Sequence, residues 1–483
     1  MASQQPLSNY RWNICALLFF ATTINYLDRQ VLSLTWKDFI VPEFHWRNND
    51  YGNITAVFSI VYAGSMLFAG RLVDWMDTKR GFLWAIGVWS VGACIHAFCG
   101  IATSGILTGH WFVGFEGARS AIATVGDAGA VISISVTLFV FARIVLAIGE
   151  SGNFPAAIKA TAEYFPKKDR GFATSIFNAG ATVGALAAPL TIPFIAEAYG
   201  WEASFIIIGA LGFVWMGFWL FMYKKPHQHP RVNAAELAYI QQDDLADTAQ
   251  VPVEQATAPK RKMSFAGAFK YRQTWAFAAG KFMTDGVWWF FLFWTPAYLS
   301  SVYNLDSTES ALHVFSLYAL TLLSIIGGWL PTYFVDKQGM NPYAGRMKAM
   351  LIFAFFPLLT LLAQPLGHIS VWIPVIIIGV AGAAHQAWSA NIFSTIGDMF
   401  PRSSVGTITG IGGMAGGVGA FLINKGSGML FDYSVDTDMK FMGFEGIESG
   451  YFIIFSICAV SYLIGWLIMK SLVPHYEPIT DID

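Results

Sequence analysis

Apolar runs of about twenty residues recur along the chain, each long enough to cross a hydrocarbon core of about 30 Å as an α-helix. Inside lipid, only α-helices and closed β-barrels pair every backbone N–H and C=O. Barrel strands alternate between apolar and polar residues, whereas these runs are apolar all round, so the pattern predicts many helical spans and excludes a barrel. Composition points the same way: of 483 residues, 55% are hydrophobic, 16% aromatic and only 12% charged, about half the charged share of a soluble domain. The mean hydropathy is +0.51. A net charge of -2 says little about partners, and no basic tract suggests nucleic acid.

Hydropathy places spans near residues 12–36, 52–74, 82–101, 131–158, 171–196 and 203–223, then 275–300, 312–335, 347–364, 372–395, 405–430 and 450–471. The expected fold class is an all-α membrane protein with twelve transmembrane helices in two pseudo-symmetric six-helix bundles. Residues 1–223 and 273–483 form the bundles, and a polar connection, 224–272, joins them; it includes Gln250–Pro259, rich in Ala, Pro, Thr and Val. The first run follows Arg11 and Trp12 without a small-residue cleavage site, so it is read as a span and not as a removed leader. With the amino terminus inside, Lys79, Arg80, Lys167, Lys168, Arg170, Lys224, Lys225, Arg346 and Lys348 all fall on the cytoplasmic side, as the positive-inside rule demands. Both termini and the connection are therefore expected in the cytoplasm of a bacterial cell, with the chain multi-pass in the inner membrane and monomeric.

The halves echo each other. Gly70-Arg71-Leu72-Val73-Asp74 with Lys79-Arg80-Gly81 follows the second span, and Gly328-Trp329-Leu330-Pro331 with Asp336-Lys337-Gln338-Gly339 follows the eighth. Each sets a glycine, an acid and a base at one end of the second helix of a half, as two six-span repeats would. A stretch at about 102–130, holding His110, Trp111, Phe112, Glu116, Arg119 and Asp127, is too short in its apolar run to span. It is expected outside, as a surface cap or as a lid.

Charges inside apolar helices cost roughly 2.5 to 3.5 kcal/mol each, so they face the bundle interior and mark a pathway. The first span holds Asn25-Tyr26-Leu27-Asp28-Arg29, and the fourth holds Arg143 and Glu150, which seven-residue spacing puts on one face. Arginine stays protonated and matches a carboxylate bidentately, which suits Arg29 and Arg143 to holding an organic anion. A buried carboxyl can take up and release protons, which suits Asp28 and Glu150 to coupling. The plain alternative is a pair of permanent salt bridges. Lys281 and Asp285, four apart and followed by Trp288 and Trp289, read as an internal ion pair, with Lys281 otherwise a third cationic contact. The tenth span carries His385, Gln386, Ser389 and Asn391, donors and acceptors suited to a hydroxyl-rich ligand. Gly180 and Gly184, and the run Gly410 to Gly417, let helices pack closely and slide. No strand precedes that run and no Lys-Ser/Thr follows it, so it is not a phosphate loop. Cys15, Cys94, Cys99 and Cys458 lack metal-ligand spacing and read as free thiols; no metal and no cofactor is expected.

Taken together, Asn25 to Arg29, the Gly70 to Arg80 loop, Gly149-Glu150-Ser151-Gly152-Asn153-Phe154-Pro155, Glu163-Tyr164-Phe165-Pro166-Lys167-Lys168, Phe177-Asn178-Ala179-Gly180, His385 to Asn391 and Gly410 to Gly417 resemble the major facilitator superfamily. Within it they resemble the anion:cation symporter family and its hexuronate transporter branch. The resemblance runs over nearly the whole chain. It implies the major facilitator fold and proton-coupled uptake of sugar acids such as glucuronate and galacturonate. It puts the acid-base pairs on Asp28 with Arg29 and on Arg143 with Glu150, a second-span tyrosine on Tyr62, a fifth-span polar position on Asn178, and the tenth-span cluster on His385, Gln386, Ser389 and Asn391. Gly70, Asp74, Lys79 and Arg80 fall on its gating loop. The long connection between spans three and four departs from the family pattern.

The function expected is symport of a sugar-acid anion with protons, by alternating access. Sodium coupling, exchange, or another anion such as an aldonate, aldarate or sugar phosphate stays open, as does a transporter-like sensor. No His-Glu-x-x-His pair, metal-diphosphate aspartates or nucleophile elbow supports an enzyme.

Overall fold

The computed structural model describes residues 6–242, 263–401 and 404–479; the segment Gln250–Pro259 lies outside them. Among the described residues, ten helices are long and apolar enough to cross a membrane. They are α2 (Asn48–Met76), α3 (Thr78–Thr108), α4 (Ala128–Tyr164), α5 (Lys168–Tyr199), α6 (Trp201–Met222), α8 (Ala311–Gln338), α9 (Pro342–Gly367), α10 (Trp372–Met399), α11 (Val405–Asp436) and α12 (Ile447–Leu472). Two further long helices, α1 (Arg11–Thr35) and α7 (Arg272–Tyr303), complete the twelve. These two carry Asn25, Asp28, Arg29 and Gln30, and Lys281 and Asp285, the polar residues that lower their hydropathy.

Close approach fixes the helix pairs. A Cβ on Gly180 or Gly184 of α5 would collide with the backbone carbonyls of Phe19 and Thr23, so α1 and α5 pack backbone to backbone. α3 continues seven residues beyond the span expected from hydropathy, to Thr108. The connection to α4 is thereby shortened and carries one short helix, Gly114–Ala123. The free thiols are as expected: Cys15, Cys99 and Cys458 are buried and Cys94 half-buried.

The bundle has two ends. One carries the start of α1, the end of α6, the start of α7 and the end of α12; it is called here the terminal face. A helix of the central connection, Ala234–Ile240, docks there, with Glu236 Oε1 accepting from Arg11 N and Nη1, each at 3.1 Å, and Oε2 accepting from Tyr10 N at 3.0 Å. Among the described residues, no other ion pair at this face joins residues 1–223 to residues 273–483: Lys159 pairs with Asp74, Lys225 with Asp77, Arg346 with Asp398 and Arg272 with Glu477.

At the opposite, distal face the halves are locked together. Asp432 of α11 accepts from Asn48 N and Nδ2, both at 3.0 Å, and from Asn49 N at 2.8 Å, and so caps the first turn of α2 from across the molecule. Arg47 reaches Asp436 at 2.6 Å. Asp38, in the π-helical turn Trp36–Ile40 that extends α1, accepts from Ser300 at 3.1 Å and from Ser307. Glycines allow this approach, since a Cβ on Gly52 would stand 2.8 Å from Asn424 O and one on Gly428 2.6 Å from Asn48 O. Beneath the lock, Trp36 stacks on Tyr51 with ring centroids 4.1 Å apart, and the Tyr51 hydroxyl donates to Phe293 O at 2.8 Å.

Candidate functional site

In the first half, α1 and α4 meet through their charges. Arg29 donates from Nε and Nη2 to Glu150 Oε2, at 2.9 and 2.7 Å, with both side chains buried. Its guanidinium sits among four rings, with Cζ 4.7 Å from the centroid of Tyr62, 5.1 Å from Tyr26, 5.3 Å from Trp289 and 5.8 Å from Phe58. Trp289 comes from α7, so the second half closes the cage. Arg143 lies 5.2 Å from the Phe58 ring. Among the described residues, Arg143 Nε and Nη1, both oxygens of Asp28, Glu150 Oε1, and both amide atoms of Asn25 and of Asn153 are buried without a hydrogen-bond partner. Asp28 is an electrostatic neighbour of Glu150 and Arg143. Buried polar atoms ordinarily have partners, and a cluster without them is where a polar ligand or water is accommodated.

In the second half, α7, α10 and α12 build a different cluster. Lys281 Nζ is 2.7 Å from Asp285 Oδ2 and 4.3 Å from the Phe393 centroid. His385 stacks on Trp288, with centroids 5.4 Å apart and planes 2° apart, and shares a 2.8 Å hydrogen bond between Nδ1 and the Tyr462 hydroxyl. Trp288 and Trp289 are neighbours on α7 that face different clusters, one His385 and the other Arg29. Asn391 donates from Nδ2 to Gly327 O and Ala387 O, both at 2.8 Å, and so ties α10 to α8. Gln386 and Ser389 are half-buried, and Asn178 is exposed on α5. An apolar groove of about 350 Å³ between α7, α11 and α12, lined by Phe282, Gly286, Leu422 and Ile457 among others, holds none of these charged side chains.

Sequence spacing set Arg143 and Glu150 on one face of α4; the structure gives Glu150 to Arg29 of α1 instead. The i, i+4 pair of Lys281 and Asp285 forms as its spacing suggested. Phe58 and Tyr462 joined the clusters without a local signal beyond being aromatic inside an apolar helix, whereas Asn25, Tyr26, Asn153 and Trp289 lie in motifs that stood out in the sequence without disclosing their neighbours. In the loop motif, Asp74 pairs with Lys159 at 2.9 Å and Lys79 donates to Leu220 O at 2.8 Å, while Arg80 is exposed and Gly70 half-buried.

The connection between α3 and α4 is fastened separately. Arg119 of its short helix donates to both oxygens of Glu202, at 2.7 and 2.6 Å, and from Nε to Glu43 at 3.3 Å; Trp201 Nε1 donates to Glu43 at 2.9 Å. Glu43 belongs to the short helix Val41–Phe44 beyond α1. Burial chiefly pushes its carboxyl up to about 7; Glu202 adds to the shift, and the hydrogen bonds from Trp201 and Arg119 oppose it.

Comparison with known proteins places this architecture. The family model of the Major Facilitator Superfamily matches residues 18–423. The hexuronate transporter of Escherichia coli (strain K12) is 28% identical over 477 residues, covering 98% of this chain and 96% of its own. The probable galactarate/D-glucarate transporter of the same strain is 24% identical over 440 residues, covering 90% and 91%. Among solved structures, a D-xylose-proton symporter superposes with a TM-score of 0.68 at 15% identity, over 98% of this chain and all of that one. The long helices and a family match that spans most of the chain agree, and the chain belongs to the Major Facilitator Superfamily, a family of membrane transporters and not of enzymes.

Proposed function

We propose that the protein is a secondary active carrier that takes up a sugar-acid anion, a hexuronate, with protons across the bacterial inner membrane. The observation that carries this reading is Arg143: a buried guanidinium whose Nε and Nη1 meet no partner among the described residues, within electrostatic range of the equally unpartnered carboxyl of Asp28. An open guanidinium in a low-dielectric interior calls for an anion, and an unpaired buried carboxyl calls for a proton. The names of the relatives supply the substrate class.

In this reading Arg143 holds the carboxylate and Arg29 lies alongside it, freed as Glu150 takes up a proton; Asp28 is the other proton carrier. Tyr62, Asn178, Lys281, His385, Gln386, Ser389 and Asn391 contact the sugar. The terminal face is cytoplasmic, so the distal lock is the outer gate. Residues 1–223 and 273–483 rock against each other about the site, the connection 224–272 spans them, and Gly70, Asp74, Lys79 and Arg80 steady the cytoplasmic gate of a monomer. A uronate moving with one proton carries no net charge, whereas a second proton would draw on the membrane potential, about 2.3 kcal/mol per 100 mV.

The test is glucuronate uptake by purified carrier in proteoliposomes, with and without an inward pH gradient, and with a sodium gradient in its place. Accumulation that follows the pH gradient supports the reading. Accumulation that follows sodium alone, or binding with no flux, sinks it.

A further inference from the structure

Besides Arg11, which Glu236 holds at the start of α1, three cationic side chains are buried among the described residues: Arg29, Arg143 and Lys281. Two of them are already neutralised. Arg29 is closed by Glu150 at 2.7 Å and Lys281 by Asp285 at 2.7 Å. Arg143 alone of the three has guanidinium N–H groups without a partner among the described residues. The Lys281 pair is also held from behind. α11 passes so close that a Cβ on Gly416 would collide with the Asp285 carboxylate, which is thus wedged between the ammonium and the α11 backbone.

In such an interior the number of carboxylates on the ligand decides. A ligand with one carboxylate sets it against the open guanidinium of Arg143, with Arg29 alongside once Glu150 is protonated, so both first-half arginines serve the same end of the ligand. A ligand with two must set the second against a cation that already has its own acid, or leave it unpaired, and a buried carboxylate without a counter-charge is costly. Lys281 stands in the half opposite Arg143, so it is the cation available to the far end of a ligand that spans both halves. The relatives do not decide the matter, because they include carriers named for acids of each kind.

We infer that this carrier selects sugar acids with one carboxylate over those with two, and that Asp285 sets the limit by keeping Lys281 closed. The inference rests on the sugar-acid reading above and sharpens it. Asp285 is thereby a specificity determinant that need not touch the substrate.

The test compares glucuronate, with one carboxylate, and glucarate, with two, in proteoliposomes under the same inward pH gradient. Wild type, Asp285→Asn and the double variant Asp285→Asn/Lys281→Gln are run side by side. Wild type is expected to prefer glucuronate by at least about tenfold, the order set by a buried unpaired charge. Asp285→Asn is expected to raise the glucarate-to-glucuronate ratio by about tenfold as Lys281 opens, and the double variant to return it to the wild-type value. Comparable uptake of both acids by wild type, or an unchanged ratio in Asp285→Asn, overturns the inference and leaves the sugar-acid reading standing. Uptake of neither acid by wild type overturns that reading and the inference with it. Should Asp285→Asn transport nothing, the Kd ratio of the two acids on the purified variant, from ligand-induced thermal shifts, decides by the same criterion.

Discussion

In the first half of the site Arg143, Asp28, Asn25 and Asn153 stand buried with polar atoms that meet no partner among the described residues, whereas in the second half Lys281 is closed by Asp285, His385 by Tyr462 and Asn391 by Gly327. Both halves are helical bundles of the same family fold, so the contrast lies in what their side chains have left undone. In the proposed carrier the unmet donors and acceptors take the substrate's charge or a proton, and the met ones fix the shape of the wall that the sugar rests on. The first half is thus equipped for charge and the second for fit, and the ring of Trp289 laid against Arg29 joins the two.

The largest effect that could break this contrast is at Arg143. Arg143→Ala is expected to reduce glucuronate uptake by at least about 100-fold, since it removes the open donors and strands Asp28. Arg143→Lys should recover only part, because an ammonium lacks the planar fork. Uptake within a few-fold of wild type in the alanine variant would move anion binding to the second half. Next is Glu150→Gln, expected to abolish accumulation against a gradient while preserving exchange of labelled for unlabelled substrate; full accumulation would leave Glu150 as a strut for Arg29. On the other side of the comparison, Asn391→Ala is expected to lower thermal stability by about 1 kcal/mol, the range of hydrogen bonds between membrane helices. No loss of stability would show that Asn391 does not set helix spacing and serves the substrate contact alone.

The smallest effect is at Glu43. A carboxyl raised from 4.5 to about 7 is fully protonated, and its clasp with Arg119 and Trp201 unpenalised, below pH 4.5. That stability declines as pH rises from 4.5 through about 7 and is level above. Hydrogen exchange of the helix Gly114–Ala123, corrected for intrinsic rate, should therefore quicken by up to about tenfold between pH 5 and 8. In Glu43→Gln the corrected rate should stay flat. Equal slopes in the two proteins would remove Glu43 as the cause.

Much of the fold was legible because lipid leaves a chain few options: each run of apolar residues had to be a helix. The two long helices of lowered hydropathy, α1 and α7, are those that bear Asp28, Arg29, Lys281 and Asp285, so charge inside a span marked the candidate site without hiding the span. Contacts within one helix were equally legible, as Lys281 with Asp285 illustrates. Contacts between helices were not. Nothing in the spacing of Arg143 and Glu150 foretold that Glu150 would turn to Arg29, since that choice depends on how α1 and α4 lie together. Glu43, Arg119 and Glu202 are likewise unremarkable one by one, and acquire meaning only when the α3–α4 connection brings them within hydrogen-bonding distance.

The capping of α2 by Asp432 gives the distal face an audible signal. A helix capped by a residue of its own keeps the same first turn however its neighbours move. Here the amides of Asn48 and Asn49 answer to a carboxylate on the other half, and parting the halves hands them to water or to a rival acid such as Asp50. Isotope labels on those two asparagines would therefore report, in the carrier proposed above, whether the halves are joined or parted at the distal face, residue by residue and without a dye or a tether.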